Sequence, residues 1–187
     1  MKAKNKTRQR NPNRALTAEQ ITALLQSLDD VADDALIRLG LSTGLRISEL
    51  MSIRVSEIDF ERGLIRIWDE KKDQQREIMP TLETMAALRR WIKARPPARD
   101  LVTCSAKTIE RMLQRRSRAV LGFAISWHAL RTTYVSRSVE LEQSPAVVLR
   151  NTGDSPATVL RYYTKLPEVV MRRFVESRPV IPTNGAA

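Results

Sequence analysis

The chain has few of the residues that cross-link proteins or bind metals. Its 187 residues include one cysteine, Cys104, and one histidine, His128. A single cysteine excludes an intrachain disulfide and suits a reducing compartment, so we expect a cytoplasmic protein. One cysteine and one histidine also exclude a structural zinc site built from the usual Cys and His ligands. Whatever chemistry the chain performs must therefore run without a His/Cys metal cluster.

Long apolar segments and phosphate-binding loops are missing as well. No apolar run approaches the ~18 residues that a membrane-spanning helix needs. The N-terminus is basic but lacks the apolar core of a signal peptide. A GxxxxGK(S/T) loop is also absent, which argues against nucleotide hydrolysis by that route. We therefore expect no membrane partner.

Acidic residues are outnumbered by basic ones. The sequence holds 32 Lys and Arg against 21 Asp and Glu, a formal net charge of +11. Hydrophobic residues make up 42% of the chain, which supports a folded protein with a core. An excess of positive charge of this size predicts a polyanionic partner, with nucleic acid as the first candidate. The alternative is a soluble cationic protein without such a partner.

The chain divides into an arm, a body and a C-terminal segment. Residues 1–16 carry six basic side chains and no acidic one, which predicts a disordered arm that is either a solvated tail or a DNA contact. The body is expected over residues 17–166, starting with a helix whose capping box is Thr17 and Gln20. Residues 167–187 are expected to form a C-terminal helix and tail.

Helices are expected on both sides of one small sheet. Strands are predicted at 64–68 and 76–79, joined by a hairpin turn in the polar stretch 69–75. Apolar periodicity and helix breakers predict further helices, at 31–43, from 47 onward, and at 81–94, 106–119, 127–141, 144–150, 156–162 and 167–176. The expected fold class is mainly α with a small antiparallel β-hairpin or three-stranded sheet, an α+β fold.

The predicted helix over 106–119 carries a basic stripe. Its members recur at spacings of four, four and three residues and so share one face; they are Lys107, Arg111, Arg115 and Arg118. Such a row suits a series of DNA phosphates. An ordinary solvated helix face is the alternative interpretation of the same four residues.

Three segments place arginine, histidine and tyrosine at fixed spacings. Residues 42–50 read STGLRISEL, and Arg46 stands near the start of a predicted helix, where anions are favoured. Residues 127–134 read WHALRTTY, and their His128 and Arg131 lie three apart, on one helical face. Taken singly, such an arginine is ordinarily a surface residue and such a histidine a structural one.

The third segment holds the candidate nucleophile. Residues 151–164 read NTGDSPATVLRYYT, and Tyr163 stands nine residues after Asp154. Tyr162 is the alternative reading of the tyrosine pair, and we expect it to be an aromatic residue that packs in the core.

These residue types are the ones that phosphodiester cleavage without a metal requires. A nucleophile attacks phosphorus, cations neutralise the non-bridging oxygens, and an acid protonates the leaving oxygen. Arginine suits the second role because its planar fork grips two oxygens. Lysine suits the third, since neighbouring cations depress its pKa.

The three segments together resemble the signature boxes of the tyrosine recombinases, the phage integrase family. The first is similar to the family's TGLR.SEL box, the second to HxLRxT, and the third to LGHSS…T..YY. The resemblance covers about residues 16–166. It implies the family's catalytic-domain fold and a site-specific recombinase that cuts and rejoins DNA strands without metal, cofactor or ATP.

The resemblance also implies a role for each matching residue. Tyr163 forms a 3′-phosphotyrosine link, while Arg46 and Arg131 clamp the non-bridging oxygens of the phosphate. His128 takes the phenol proton or holds a phosphate oxygen. The family places a catalytic lysine in the hairpin turn, and alignment on Arg76 selects Lys71 for that role.

Lys72 is the second choice for that lysine and a further candidate for DNA binding. An exposed turn lysine that serves only solubility is the alternative for both Lys71 and Lys72.

The partners implied by the resemblance are double-stranded DNA and further copies of the chain. Four protomers are expected on two DNA sites, and a monomer or weak oligomer is expected in the absence of DNA. The protein is expected in the cytoplasm, associated with the nucleoid. The segment from residue 167 is expected to dock on a neighbouring protomer, and an intramolecular cap is the alternative. The resemblance is compatible with a minimal recombinase and with the catalytic part of a longer one.

Asp154 departs from the family pattern, because His or Trp usually stands at this seventh position of the site. An ionised carboxylate only accepts hydrogen bonds and would repel a phosphate. Either Asp154 points away and pairs with an arginine, for which Arg150 and Arg161 are close in sequence, or activity is weakened. The opposite alternative is that Asp154 orients a catalytic arginine, so that its loss would misplace that group.

Three other functions remain open from the sequence. A type IB topoisomerase-like enzyme uses similar chemistry. A DNA-binding regulator of the same fold would have lost activity through Asp154. A generic basic RNA-binding protein would leave the three boxes unexplained.

Overall fold

The computed structural model describes residues 13–69, 73–97, 99–164 and 168–177. Within these ranges the chain forms helices around one small sheet, as the sequence predicts. The helices are α1 (Ala18–Gln26), α2 (Val31–Thr43), α3 (Ile47–Met51), α4 (Leu82–Ala94), α5 (Ala106–Leu121), α6 (Trp127–Glu140), α7 (Pro145–Thr152), α8 (Pro156–Tyr163) and α9 (Glu168–Ser177). The strands are β1 (Ile58–Asp59), β2 (Leu64–Asp69) and β3 (Gln74–Ile78), and a short 3-10 helix (Val55–Glu57) precedes β1.

The sheet is three-stranded and antiparallel, in the order β1-β2-β3. The predicted polar turn 69–75 is too long, because Asp69 and Gln74 already pair across β2 and β3. Along β2 the side chains alternate, so that Ile65, Ile67 and Asp69 are buried while Arg66 and Trp68 are exposed. The sheet therefore offers one face to the core and one face, with Arg66 and Trp68, to solvent.

Helix boundaries follow from capping residues. Thr17 and Gln20 form the predicted capping box of α1. Asp30 caps α2 by accepting hydrogen bonds from two backbone N–H groups. The same helix ends at Gly44, whose φ of 62° lies in the left-handed region that glycine adopts readily. This sharp end turns the chain into α3.

The main core lies between the helices and the buried face of the sheet. Helix α2 is at its centre and packs against α4 and α6. Trp127 of α6 is buried, and its indole Nε1 donates a hydrogen bond to the carbonyl oxygen of Leu45 at 2.9 Å. The turn between α2 and α3 is therefore attached to α6 by a buried polar contact.

A second, smaller hydrophobic cluster lies beneath α7 and α8. Its buried members are Tyr134, Val135, Val148 and Val159, and Leu149 and Tyr163 pack against them. Helices α6, α7 and α8 all contribute to it. This cluster positions α8, whose last turn carries the two adjacent tyrosines.

The body begins earlier than the predicted boundary at residue 17. Leu16 is buried in the main core, and its backbone N–H donates to Thr133 Oγ1 at 2.9 Å. Ser126 Oγ donates to Asn13 Oδ1 at 2.6 Å. The end of the predicted arm 1–16 is thus packed on α6, because Leu16 belongs to the core. Residues 1–12 lie outside the described residues.

Helix α9 forms where the C-terminal helix is expected. Val169 and Met171 are exposed on it. The side chains of the other apolar residues in this segment lie outside the description, as do residues 165–167 and 178–187. Across the described ranges, the helices are too short or too polar to cross a membrane.

Candidate active site

The turn between α2 and α3 brings two distant arginines together. Arg46 follows this turn and occupies the position just before α3. Arg131 reaches the same turn from the middle of α6, where its Nη1 donates to the carbonyl oxygen of Gly44 at 2.5 Å. A Cβ atom on Gly44 would lie 2.7 Å from Tyr134 Cδ1, so only glycine fits this close contact. We call Arg46 and Arg131 the arginine pair.

The arginine pair converges on the end of α7. Arg131 Nη2 donates to the carbonyl oxygen of Thr152 at 2.9 Å, and Arg46 Nη1 donates to the same oxygen at 3.4 Å. The last carbonyls of a helix carry a partial negative charge, which favours cations there. Asp154 Oδ1 lies 2.6 Å from Arg131 Nη2 and 3.0 Å from Arg46 Nη2. One carboxylate oxygen therefore bridges both guanidinium groups.

Partial burial strengthens the repulsion between the two guanidinium groups, because water screens their charges less. The Arg131 side chain is 8% exposed and the Arg46 side chain 29% exposed. Burial lowers the pKa of Arg131 below its ordinary value and the charge of Arg46 adds to this, while Asp154 acts in the opposite direction. Asp154 is thus the counter-ion of two adjacent positive charges.

The partners of Asp154 are not the two arginines that lie nearest in sequence. Arg150 Nη2 instead contacts Glu77 Oε2 at 2.6 Å, and Arg161 is exposed on α8. The turn after α7 directs Asp154 inward, which proximity along the chain does not reveal.

Glu49 ties Arg46 to the sheet. It is 4% exposed, and its Oε2 accepts from the backbone N–H of Arg46 at 2.6 Å. Its Oε1 accepts from Arg46 Nη1 at 3.1 Å and from Arg76 Nη2 at 2.8 Å. Arg76 in turn donates from Nη1 to the carbonyl oxygens of Arg150 and Asn151 at 2.7 and 2.6 Å. One network therefore joins α3, β3 and the end of α7.

Gly153 permits Arg76 to lie beneath α7. Its φ is +67°, and a Cβ atom there would lie 2.7 Å from Arg76 Nε and 3.0 Å from Asp69 Oδ2. Glu49 and Arg76 are not among the predicted site residues. A signal for both exists in the sequence, because Glu49 belongs to the first box and Arg76 is the residue that aligns the hairpin with the family.

Tyr163 lies at the end of α8, against the second hydrophobic cluster. Its hydroxyl donates to the carbonyl oxygen of Gln143 at 2.6 Å and so does not donate to His128. Burial, and then the neighbouring Tyr134, raise the pKa of Tyr163 above its ordinary value. The expectation that Tyr162 packs in the core is wrong, since Tyr162 is 38% exposed while its neighbour packs on the cluster.

His128 is exposed near the start of α6, one turn before the buried Arg131. Glu110 of α5 accepts from the backbone N–H of Trp127 through Oε1 and Oε2 at 3.1 and 3.2 Å, so α5 lies beside the start of α6. Lys71 and Lys72, the candidates in the hairpin turn, lie outside the described residues.

The basic stripe is exposed along α5. All four of its members, Lys107, Arg111, Arg115 and Arg118, face solvent. Arg116 on the same helix instead contacts Asp33 and Asp29, each at 2.8 Å, and is partly buried. The stripe is therefore available to a partner, whereas Arg116 is already paired with carboxylates of the same chain. Over the ranges that the structure covers, no three His, Cys, Asp or Glu side chains are grouped so as to hold a metal ion.

The family model described as "Phage integrase family" matches residues 14–168. The chain belongs to the phage integrase family. Among curated relatives, the tyrosine recombinase XerA of Saccharolobus solfataricus is 35% identical over 127 residues, which is 68% of this chain and 43% of that protein. The tyrosine recombinase XerC of Azotobacter vinelandii is 29% identical over 145 residues, 70% of this chain and 48% of that protein. The chain thus spans about half the length of these two relatives.

Solved structures show the same fold. The crystal structure of a XerA recombinase superposes with a TM-score of 0.73 at 22% identity, covering 89% of this chain and 66% of that one. The Tn1549 transposon integrase in complex with transposon right end DNA gives a TM-score of 0.72 at 20% identity, covering 90% and 66%. The expected tyrosine recombinase catalytic-domain fold is confirmed.

We predict that Glu49→Gln destabilises the protein by about 3 kcal/mol, because it removes the buried carboxylate that faces Arg46 and Arg76. The control is Glu77→Gln, which also removes one charge but from a more exposed carboxylate between Arg62 and Arg150. That change should cost less than about 1 kcal/mol. Urea unfolding of both variants measures the difference. Equal destabilisation by the two changes would show that the Glu49 network does not hold the site together.

Proposed function

We propose that the chain is the catalytic domain of a site-specific recombinase that cuts and rejoins DNA strands through a 3′-phosphotyrosine intermediate. The observation that carries this proposal is the arginine pair, which focuses two guanidinium groups on a single anionic oxygen. Membership of the phage integrase family and relatives described as tyrosine recombinases support it.

The arginine pair suits the non-bridging oxygens of a phosphodiester. Guanidinium groups stay charged at any working pH and donate in a planar fork that matches phosphate oxygens. The buried network of Glu49, Arg76 and the end of α7 holds the pair in place before any substrate arrives. Preorganised donors of this kind stabilise the charge that develops in the transition state.

Tyr163 is the proposed nucleophile. Its hydroxyl oxygen bonds to phosphorus, the bond from phosphorus to the 5′-oxygen breaks, and the phenol proton passes to a base, for which His128 is the candidate. Lys71 is proposed to protonate the departing 5′-oxygen. A 5′-hydroxyl of a second strand then attacks the phosphotyrosine and releases Tyr163. Because its hydroxyl donates to Gln143 here, Tyr163 must leave that partner before it attacks.

Double-stranded DNA is the proposed substrate and partner. The exposed basic stripe offers a row of phosphate contacts, and α5 that carries it lies beside the start of α6 with His128. The related Tn1549 integrase was solved in complex with transposon DNA. We further propose that four copies assemble on two DNA sites in the nucleoid and that α9, with Val169 and Met171 exposed, docks on a neighbouring copy.

A catalytically weakened DNA-binding regulator is a second candidate. The observation that favours it is the carboxylate of Asp154 within the arginine pair, where a phosphate is proposed to bind. Formation of a covalent protein–DNA adduct separates the two functions, because a regulator would bind DNA without forming one.

We predict that Tyr163→Phe abolishes covalent attachment to DNA and leaves DNA binding nearly unchanged, since it removes one oxygen. The protein is incubated with nicked duplexes carrying candidate recombination sites, and adducts are separated on a denaturing gel. Tyr162→Phe is the control and should form the adduct at nearly the parent rate. Loss of the adduct in Tyr162→Phe, with retention in Tyr163→Phe, would reverse the assignment. An intact parent that binds the duplex without an adduct would favour the regulator.

We predict that the double change Arg111→Gln and Arg115→Gln makes the negative slope of log K against log salt less steep by about two units. One unit corresponds to each phosphate that the variant no longer neutralises. The matched control is the double change Arg90→Gln and Arg95→Gln, which also removes two positive charges. These two arginines lie in and just after α4 and contact Asp34 and Asp30. Its slope should stay at the parent value. Fluorescence titrations with duplex DNA at several salt concentrations give the slopes, and equal slopes for both double variants would remove the stripe from the DNA interface.

A further inference from the structure

Asp154 lies where the proposed substrate has to bind. Its Oδ1 is within 3.0 Å of Arg46 Nη2 and 2.6 Å of Arg131 Nη2, a geometry that a phosphate oxygen would also adopt. A carboxylate and a phosphate oxygen carry the same sign of charge, so the two cannot share these donors without repulsion.

The donors of Arg131 leave little room for a second anion. Its Nη2 donates to the Thr152 carbonyl oxygen at 2.9 Å and forms an ion pair with Asp154 Oδ1 at 2.6 Å. Its Nη1 donates to the Gly44 carbonyl oxygen. The side chain is 8% exposed, so a phosphate has access to Nη2 chiefly through the place that Asp154 occupies.

Asp154 differs from the backbone acceptors of this arrangement in being a partly exposed side chain. It follows Gly153 and precedes Ser155, the cap of α8, so it stands in the short link between α7 and α8. Its side chain is 18% exposed and reaches solvent. The Thr152 and Gly44 acceptors, in contrast, are backbone carbonyls fixed by α7 and by the end of α2.

The same link connects Asp154 to the proposed nucleophile. Helix α8 begins two residues after Asp154 and ends at Tyr163. In this structure the start of α8 is held through Asp154 at the arginine pair, and its end through the Tyr163 hydroxyl at Gln143. A phosphate that takes the place of Asp154 would therefore release the polar attachment at the start of α8, while Val159 stays packed on the second hydrophobic cluster.

We propose that Asp154 is an internal plug: without DNA its carboxylate neutralises the arginine pair, and the scissile phosphate binds by displacing it. The plug is a regulatory device of the proposed recombinase site, and it rests on that proposed function. It stabilises the free protein, because without it the two adjacent guanidinium groups would repel each other in a partly buried site, where the nearby negative charge of Glu49 is shared with Arg76. It also makes anion binding weaker than an empty pair would allow.

The test is a phosphate titration of the DNA-free protein at constant ionic strength, with thermal unfolding as the readout. Asp154→Asn should unfold at a lower temperature than the parent in phosphate-free buffer. Added inorganic phosphate should restore its stability, with half-saturation at a concentration at least tenfold lower than for the parent. The control Glu61→Gln removes the same charge from an exposed turn residue and should follow the parent.

Three results would overturn the plug. The first is an equal response to phosphate in the parent and in Asp154→Asn. The second is a phosphate-dependent stabilisation that persists when Arg46→Ala is added to Asp154→Asn, because phosphate would then bind elsewhere. The third is an Asp154→Asn protein that does not fold at any phosphate concentration, because a carboxylate that leaves for the substrate must be replaceable.

A parallel assay on nicked duplex DNA separates this proposal from the proposed function. If neither the parent nor Asp154→Asn forms an adduct but the stabilisation by phosphate is present, the recombinase function fails, while the competition between Asp154 and an anion at the arginine pair stands. If the parent forms an adduct and that stabilisation is absent, the plug alone fails.

Discussion

The meeting of Arg46 and Arg131 at the end of α7 is the constraint on which the rest of the site depends. Two guanidinium groups this close repel each other, and partial burial weakens the screening by water. The protein compensates with acceptors of two kinds, the carbonyl oxygen of Thr152 and the carboxylates of Asp154 and Glu49. The fold has to deliver these acceptors from separate parts of the chain.

Each neighbouring element contributes to that delivery. The left-handed Gly44 ends α2 so that Arg46 can start α3, and Trp127 fixes the following turn through Leu45. Arg76 on β3 binds both Glu49 and the last carbonyls of α7, so the sheet and the helices are linked through the site. The hairpin proposed to carry Lys71 is thereby joined to the arginine pair through Glu49, which accepts from both Arg76 and Arg46.

The sequence predicts the arginine pair because its two boxes are local patterns with distinctive spacing. It also predicts the helices and the sheet, whose capping residues and periodicity act over a few residues. It does not predict the partner of Asp154, because the turn at Gly153 decides whether that side chain points towards Arg46 and Arg131 or towards solvent. The wrong expectation for Tyr162 has the same origin, since the rotation of α8 on its cluster selects which of the two adjacent rings is packed.

The most direct test of the central claim is single-turnover cleavage of a nicked duplex by Arg46→Ala and Arg131→Ala. Arg90→Ala is the control, and thermal unfolding shows whether each variant is folded. If the pair stabilises the reacting phosphate, each folded variant should cleave at least about a hundredfold more slowly than the parent, while Arg90→Ala cleaves at the parent rate. Cleavage by either variant at nearly the parent rate would remove that arginine from the active site.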